Sequence, residues 1–358
     1  MLLSFILYMS VFLIVTALLS LSKKSTKILK IIIITTSICL LSLLAAVRYN
    51  VGTDYNSYFQ IYNSINNNFS NILIFNFYQE PGNVIIYRLS YLIFNNYKSM
   101  FFIFSFITST FFVLGIIKYE KIINVKLSIF MFLSMYFLVS LNGMRQMLAV
   151  SLLFYGSFYL VSNKSIIKFL IIIAIAGLFH KSAYFMIFLI PYYYYIKDKT
   201  IQKSYIIVLF ITLIGVPLIA YSAATLSSVL GIYSSYVTYD GQKNVLFLLY
   251  ILPSIIIYII SLKNSFKNAN SNTGNVYFKL YILSIPLQFL GYFYSYFDRF
   301  SLYTLVFQCL AIPISVKNIK SNSTKSMVLL LTYSWVIFYH VIMFIILGSN
   351  GVYPFIFA

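Results

Sequence analysis

Acidic side chains are nearly absent. Six Asp+Glu stand against 25 Lys+Arg in 358 residues, and charged residues of both signs make up 9% of the chain. Soluble domains carry about a quarter. With 61% hydrophobic residues, the composition excludes a soluble fold and predicts an all-α polytopic membrane protein. Cysteine is also scarce: Cys39 and Cys309 both sit in apolar runs. Neither a disulfide framework nor a cysteine-based metal site is therefore implied. The apolar runs contain no Asp or Glu and one histidine, His340, which argues against the midplane acids of proton-coupled transporters. No segment has the length and polarity of a separate soluble domain, so residues 1–358 read as one membrane domain. No nucleic-acid partner is expected.

What is present is a series of apolar runs. At roughly 20 residues per span, they predict spans over Leu2–Leu21, Lys30–Val47, Ser99–Ile117, Leu127–Leu141, Arg145–Val161, Ser165–Phe179, Ala183–Ile196, Ser204–Ala220, Val245–Leu262, Val276–Tyr292, Phe300–Val316 and Met327–Leu347. Met1–Leu21 has no basic residue ahead of its apolar core and no small-residue cleavage pattern, so it is expected to be a first span rather than a cleaved signal. Eighteen of the 21 lysines fall in alternate loops, at 23, 24, 27 and 30; 118, 121 and 126; 164 and 168; 197, 199 and 203; 263, 267 and 279; and 317, 320 and 325. The positive-inside rule puts all six loops in the cytoplasm. The alternation closes only if Pro81–Asn96, which carries Arg88, does not span. It is expected to be an interfacial or re-entrant helix, giving about twelve spans with both termini outside.

The opposite face carries all four arginines (Arg48, Arg88, Arg145 and Arg299), with Lys98, Lys181, Lys243, Asp54, Glu80, Asp240 and Asp298. Arginine presents a planar fork suited to phosphate, whereas lysine is a hydrated point charge. This segregation predicts an external anion site, and a phosphate or diphosphate on a lipid fits it. The outer segment 48–97 carries the densest cluster, Arg48-Tyr-Asn-Val-Gly-Thr-Asp54-Tyr-Asn-Ser-Tyr58. Tyr55, Tyr58, Phe59, Tyr62 and Ile65 follow helical spacing, predicting an amphipathic helix on the membrane surface. Thr53 is its expected N-cap, with Asp54 suited to the helix dipole. The tyrosines read as an interfacial belt or as a stacking platform for sugar rings. Asn66–Asn71 and Tyr239-Asp240-Gly241 read as turns. Arg145, beside Gln146, opens a helix where free N–H groups also favour an anion. His180 lies at a helix end on the same face, and His340 is expected to make an interhelical hydrogen bond.

Four motifs, taken in order, resemble one known family. Arg48-x3-Gly52-Thr53-Asp54-Tyr55-x2-Tyr58, Glu80-Pro81 before an apolar helix, Asn142-Gly143-x-Arg145-Gln146 and Phe179-His180-Lys181-Ser182-Ala183 look like those of the EpsG family, Wzy-like bacterial polysaccharide polymerases of exopolysaccharide, capsule or O-antigen synthesis. Asp298-Arg299 is similar to a late arginine in such proteins. The resemblance implies glycosyl transfer between polyprenyl-diphosphate-linked oligosaccharide repeat units at the outer face of the bacterial cytoplasmic membrane, without nucleotide sugar or metal. Chain-length regulators or export proteins are the implied partners, with membrane lipid around the chain.

On that reading Arg48, Arg145 and Arg299 bind the donor diphosphate, and Tyr55, Tyr58, Gln146, Lys181 and Asp298 complete the substrate-binding set. Asp54 or His180 is the expected catalytic base. Another lipid-linked glycan transferase or ligase, or a membrane acyltransferase, could use the same residues. A flippase would need cations lining both halves of a cavity, and here the arginines are confined to one face.

Overall fold

In the computed structural model, residues 1–67, 80–198, 201–211, 214, 248–263, 269–293 and 298–357 are described. They form two compact units, Met1–Ile187 with Tyr333–Ala358, and Phe188–Thr332. The expected turn over Asn66–Asn71 lies mostly outside the described residues, as do Tyr239-Asp240-Gly241, Lys243 and the later part of the span expected over Ser204–Ala220.

The first unit contains α1 (Leu2–Leu21), α2 (Lys27–Ala46), α3 (Tyr55–Asn67), α4 (Pro81–Phe94), α5 (Tyr97–Ile117), α6 (Val125–Asn142), α7 (Met144–Val161) and α8 (Ile166–Gly177). The second holds α9 (Leu189–Ile196), α10 (Ile201–Phe210), α11 (Leu248–Lys263), α12 (Ala269–Ile282), α13 (Ser284–Phe293), α14 (Asp298–Leu305) and α15 (Gln308–Lys317). A last helix, α16 (Asn322–Ile346), enters the first unit at Tyr333.

Seven helical segments among the described residues are long and apolar enough to cross a membrane: α1, α2, α5, α6, α7, Arg299–Lys317 and α16. The protein is a helical membrane protein. Several of the twelve expected spans take other forms. Ser165–Phe179 shrinks to the twelve residues of α8. Ala183–Ile196 divides into a 3-10 segment, Lys181–Phe188, and α9. Val276–Tyr292 breaks between α12 and α13.

Within the first unit, α1, α2, α5, α6, α7 and α8 run up and down, so the lysine-rich turns share one end. Lys30, near the start of α2, meets Glu120, just past α5, at 2.6 Å. At the other end, α4 has 14 residues, or about 21 Å at 1.5 Å per residue, too short for a bilayer core of about 30 Å. Pro81 at its first turn costs nothing, since that N–H has no helical partner. The α4 helix packs on the first turns of α5, with the Tyr87 ring 5.7 Å from that of Phe104 and Ser99 Oγ bonded to the Ser90 carbonyl. Ile85, Leu89, Leu92 and Ile93, on its other side, are exposed.

The α3 helix departs from expectation. Its tyrosine stripe, expected to face the membrane surface, is buried against α4 and α5: Tyr55 stacks on Phe101 at 4.8 Å, and Tyr62 meets Tyr91 at 6.4 Å. Only Phe59 of the aromatic stripe is exposed. The periodicity is the same for a helix facing lipid and a helix facing protein, and here protein won.

A C-terminal strap completes this unit. Tyr8 donates to the Val352 carbonyl at 3.0 Å, and Ser4 Oγ accepts the Phe355 N–H at 2.9 Å. His340 makes the expected interhelical bond. Its Nδ1 lies 2.9 Å from the Ser134 carbonyl, within the π-helical turn Leu133–Phe137, and its Nε2 lies 2.7 Å from the Tyr353 hydroxyl. Because a carbonyl can only accept, Nδ1 carries the proton and Nε2 accepts from the phenol.

Candidate functional site

The segment after α2 returns along the turn between α6 and α7, and two side chains hold it there. Arg48, the first, is fully buried. Its guanidinium donates to the carbonyls of Val51 (3.1 Å) and Leu141 and contacts Met144 Sδ at 3.5 Å. It lies 4.5 Å above the Phe101 ring and 5.7 Å from that of Tyr55. Among the described residues it has no carboxylate partner; carbonyl dipoles and aromatic faces take that place. Burial lowers its pKa to about 10, leaving it charged at neutral pH. The expected diphosphate ligand is thus a buried clasp between the 48–54 segment and the 141–144 turn.

Asn142 is the second. Its Oδ1 accepts the Asp54 backbone N–H at 2.8 Å and the Thr53 hydroxyl at 3.0 Å. The N-terminus of α3 is therefore capped by a side chain from another helix, and Thr53, the expected cap, donates to that same oxygen. Asn142 Nδ2 reaches Asn350 Oδ1 at 3.3 Å. The strap closes over the loop through Gly52 N–H to Gly351 O (2.8 Å), Thr53 N–H to Asn350 O (3.1 Å) and Tyr49 N–H to Ile356 O (2.8 Å). Gly52 sits at φ +102°, with Asn142 Oδ1 and an Arg48 nitrogen at van der Waals distance from where a Cβ would lie, so only glycine makes this bend without strain.

The other two motifs meet in the same way. The Gly82 N–H donates to the Leu178 carbonyl at 2.9 Å, and a Cβ at Gly82 would lie 2.8 Å from the Phe179 ring. Asn83 Nδ2 bridges the Phe179 carbonyl (2.9 Å) and Glu80 Oε2 (3.2 Å). The start of α4 is thereby docked on the turn leading to His180.

Arg145 ties the two halves together. It donates to Glu80 Oε2 at 3.0 Å and bonds the Tyr58 phenol, whose ring lies 5.9 Å from its guanidinium carbon. Glu80 is buried with 11% of its side chain exposed, while Arg145 keeps 32% exposed. Two protein groups thus occupy part of a fork with five N–H donors. Burial raises the pKa of Tyr58, Arg145 opposes that rise, and the nearby Asp54 carboxylate adds to it. Tyr58, Arg145 and Glu80 form a polar chain, and the half-buried Asp54 lies near enough for its charge to act on Tyr58.

His180 Nδ1 accepts the Ser182 backbone N–H at 3.3 Å and lies 2.9 Å from the Ser182 hydroxyl. Lys181 is exposed and Gln146 buried. Tyr55 is buried beneath Arg48, so it offers no open face to a sugar. Asp298 and Arg299 belong to the second unit, where they open α14, with Arg299 exposed. The four first-unit motifs therefore make one connected cluster. Sequence reasoning left three of its members without a role. Glu80 and Asn142 stand inside two of the four motifs, and Asn350 has no signal beyond a Gly-Ser-Asn-Gly turn.

The model of the EpsG family matches residues 31–357, nearly the whole chain and all four motifs. The chain belongs to the EpsG family. No curated protein and no solved structure matches it. Among the described residues no group of three or more His, Cys, Asp and Glu could hold a metal. For this EpsG-family chain the cluster around Arg145 is the candidate active site. Replacing Asn142 by Ala removes two bonds to the Asp54 segment and one to the strap. These partners are only part-buried, so each bond is worth about 0.5–1.5 kcal/mol net, and N142A should lower the melting temperature in detergent and reduce activity together, measured on the same preparation.

Proposed function

We propose that this protein is a membrane glycosyltransferase that joins polyprenyl-diphosphate-linked oligosaccharide repeat units into a polysaccharide. The work would take place at the outer face of the bacterial cytoplasmic membrane, the positive-inside rule setting the lysine-bearing end inside. The observation that carries this reading is Arg145, a part-exposed guanidinium held in place by Glu80 and Tyr58 within the cluster of family motifs. In the reaction an acceptor sugar hydroxyl attacks the anomeric carbon of the donor. A new carbon–oxygen bond forms, the bond to the diphosphate breaks, and the diphosphate leaves with the electron pair. Arg145 stabilises the negative charge that develops there, with the exposed Lys181 as a second cation. Gln146, one residue along α7 and buried, supports the start of that helix.

The proton of the attacking hydroxyl goes to Asp54. His180 is the weaker candidate for the base, because its Nδ1 already accepts the Ser182 N–H, which leaves the neutral ring's proton on Nε2 as a donor. A positioned base contributes about 10²–10⁴-fold. In reconstituted membranes D54N should therefore lose at least about 10²-fold in polymerisation while keeping its folding. H180Q should lose less. Near-normal turnover by D54N would move the base elsewhere.

A further inference from the structure

A second charged cluster lies at the opposite, lysine-bearing end of the first unit. Lys118 caps α5, and its ammonium sits 4.4 Å from the Phe158 ring centroid, 4.5 Å from that of Tyr155 and 5.0 Å from that of Tyr159. Lys164, in the turn between α7 and α8, lies 4.7 Å from the Phe158 ring. Lys168, in the first turn of α8, lies 5.5 Å from the Tyr159 ring. The Phe158 and Tyr159 centroids are 5.6 Å apart, so two adjacent rings carry all three ammonium groups. The turn that assembles them is fixed: Asn163 adopts φ +50°, and the N–H groups of Lys164 and Ser165 both donate to the Tyr159 carbonyl. Among the described residues no ion pair joins a carboxylate to Lys118, Lys164 or Lys168. Glu120, two residues from Lys118, is held by Lys30 at 2.6 Å.

Three cations gathered on one aromatic ridge repel one another, and the ring faces only partly offset this. An anion among them relieves the repulsion. Ser165 caps α8 by accepting the Lys168 N–H, so the positive end of that helix opens onto the same place. Along the same helix, Ile167, Leu170 and Ile171 of α8 expose apolar side chains. Phosphate chemistry above an acyl-facing flank is the pattern of a phospholipid.

We propose that Lys118, Lys164 and Lys168, on the Tyr155–Phe158–Tyr159 ridge, bind the phosphate of an anionic phospholipid, whose chains lie along α8. The site is separate from the Arg145 cluster and does not depend on what that cluster catalyses. The experiment is native mass spectrometry of the full chain in mild detergent, with phosphatidylglycerol or phosphatidylcholine added. The variant K164Q/K168Q is compared with K23Q/K27Q, which removes equal charge from the same end. Retained phosphatidylglycerol should exceed phosphatidylcholine. It should fall about fivefold for each lysine removed at the ridge and little in the control pair. Equal losses in both pairs, or no preference for the anionic lipid, would overturn the site. Displacement of the lipid by inorganic phosphate alone would overturn the lipid as ligand and leave a phosphate site fed from solution.

Discussion

Cells whose only copy carries Arg145→Ala should accumulate single repeat units on the polyprenyl carrier and make no long polymer, while the variant protein still folds and inserts. Arg145 keeps a third of its side chain exposed and contacts the protein through Glu80 and Tyr58. Its removal leaves the buried Glu80 carboxylate with Asn83 as a remaining partner, so stability falls as well. The catalytic cost is the larger. Loss of a preorganised donor aimed at developing charge typically costs about 10²–10³-fold in turnover. Arg145→Lys should rescue poorly, because an ammonium cannot hold Glu80 and a phosphate with the same fork. Electrophoresis of lipid-linked glycans from the two strains measures both effects. Normal chain length in R145A would remove Arg145 from the reaction.

Arg48→Ala should fail for a different reason, and stability separates the two. Arg48 is fully buried and spends its donors on the Val51 and Leu141 carbonyls. Hydrogen bonds to a charged group are worth about 1.5–3 kcal/mol each, and the truncation also opens a cavity against Phe101. The loss should exceed about 3 kcal/mol, a large share of any domain's net stability. Thermal unfolding in detergent should show R48A melting well below wild type, with little protein recovered from membranes. R145A, which takes the cation from Glu80, should melt below wild type but well above R48A. Arg48→Lys keeps the charge but cannot reach both carbonyls, so it should fall between. An R48A protein that melts normally yet makes no polymer would return Arg48 to the substrate.

These two arginines show where the sequence was legible and where it was not. Alternating lysines placed the turns of the first unit correctly, since charge at helix ends depends on the membrane and little on packing; Lys30 and Glu120 meet as that alternation requires. The motifs around Arg48, Glu80, Arg145 and His180 were expected on one face, and the structure joins them. Which arginine faces outward was not legible, because Arg48 and Arg145 both stand at the edge of an apolar run. The difference lies in the Leu141 carbonyl and the Phe101 ring, 93 and 53 residues away. The same holds for Asn142, whose amide caps α3 from another helix, and for the strap through Asn350, which has no periodicity to read. The tyrosines of α3 gave a correct helix and a wrong neighbour, because amphipathic spacing records that a face is covered and not what covers it.

The most direct test of the central claim is reconstitution of the purified protein in liposomes with a single defined polyprenyl-diphosphate-linked repeat unit and nothing else. The account predicts that lipid-linked glycans of two and more repeats form while free polyprenyl diphosphate is released one for each bond made, and that R145A does neither. Consumption of the donor only when a different acceptor lipid or an acyl donor is added, with no repeat joined to repeat, would contradict it.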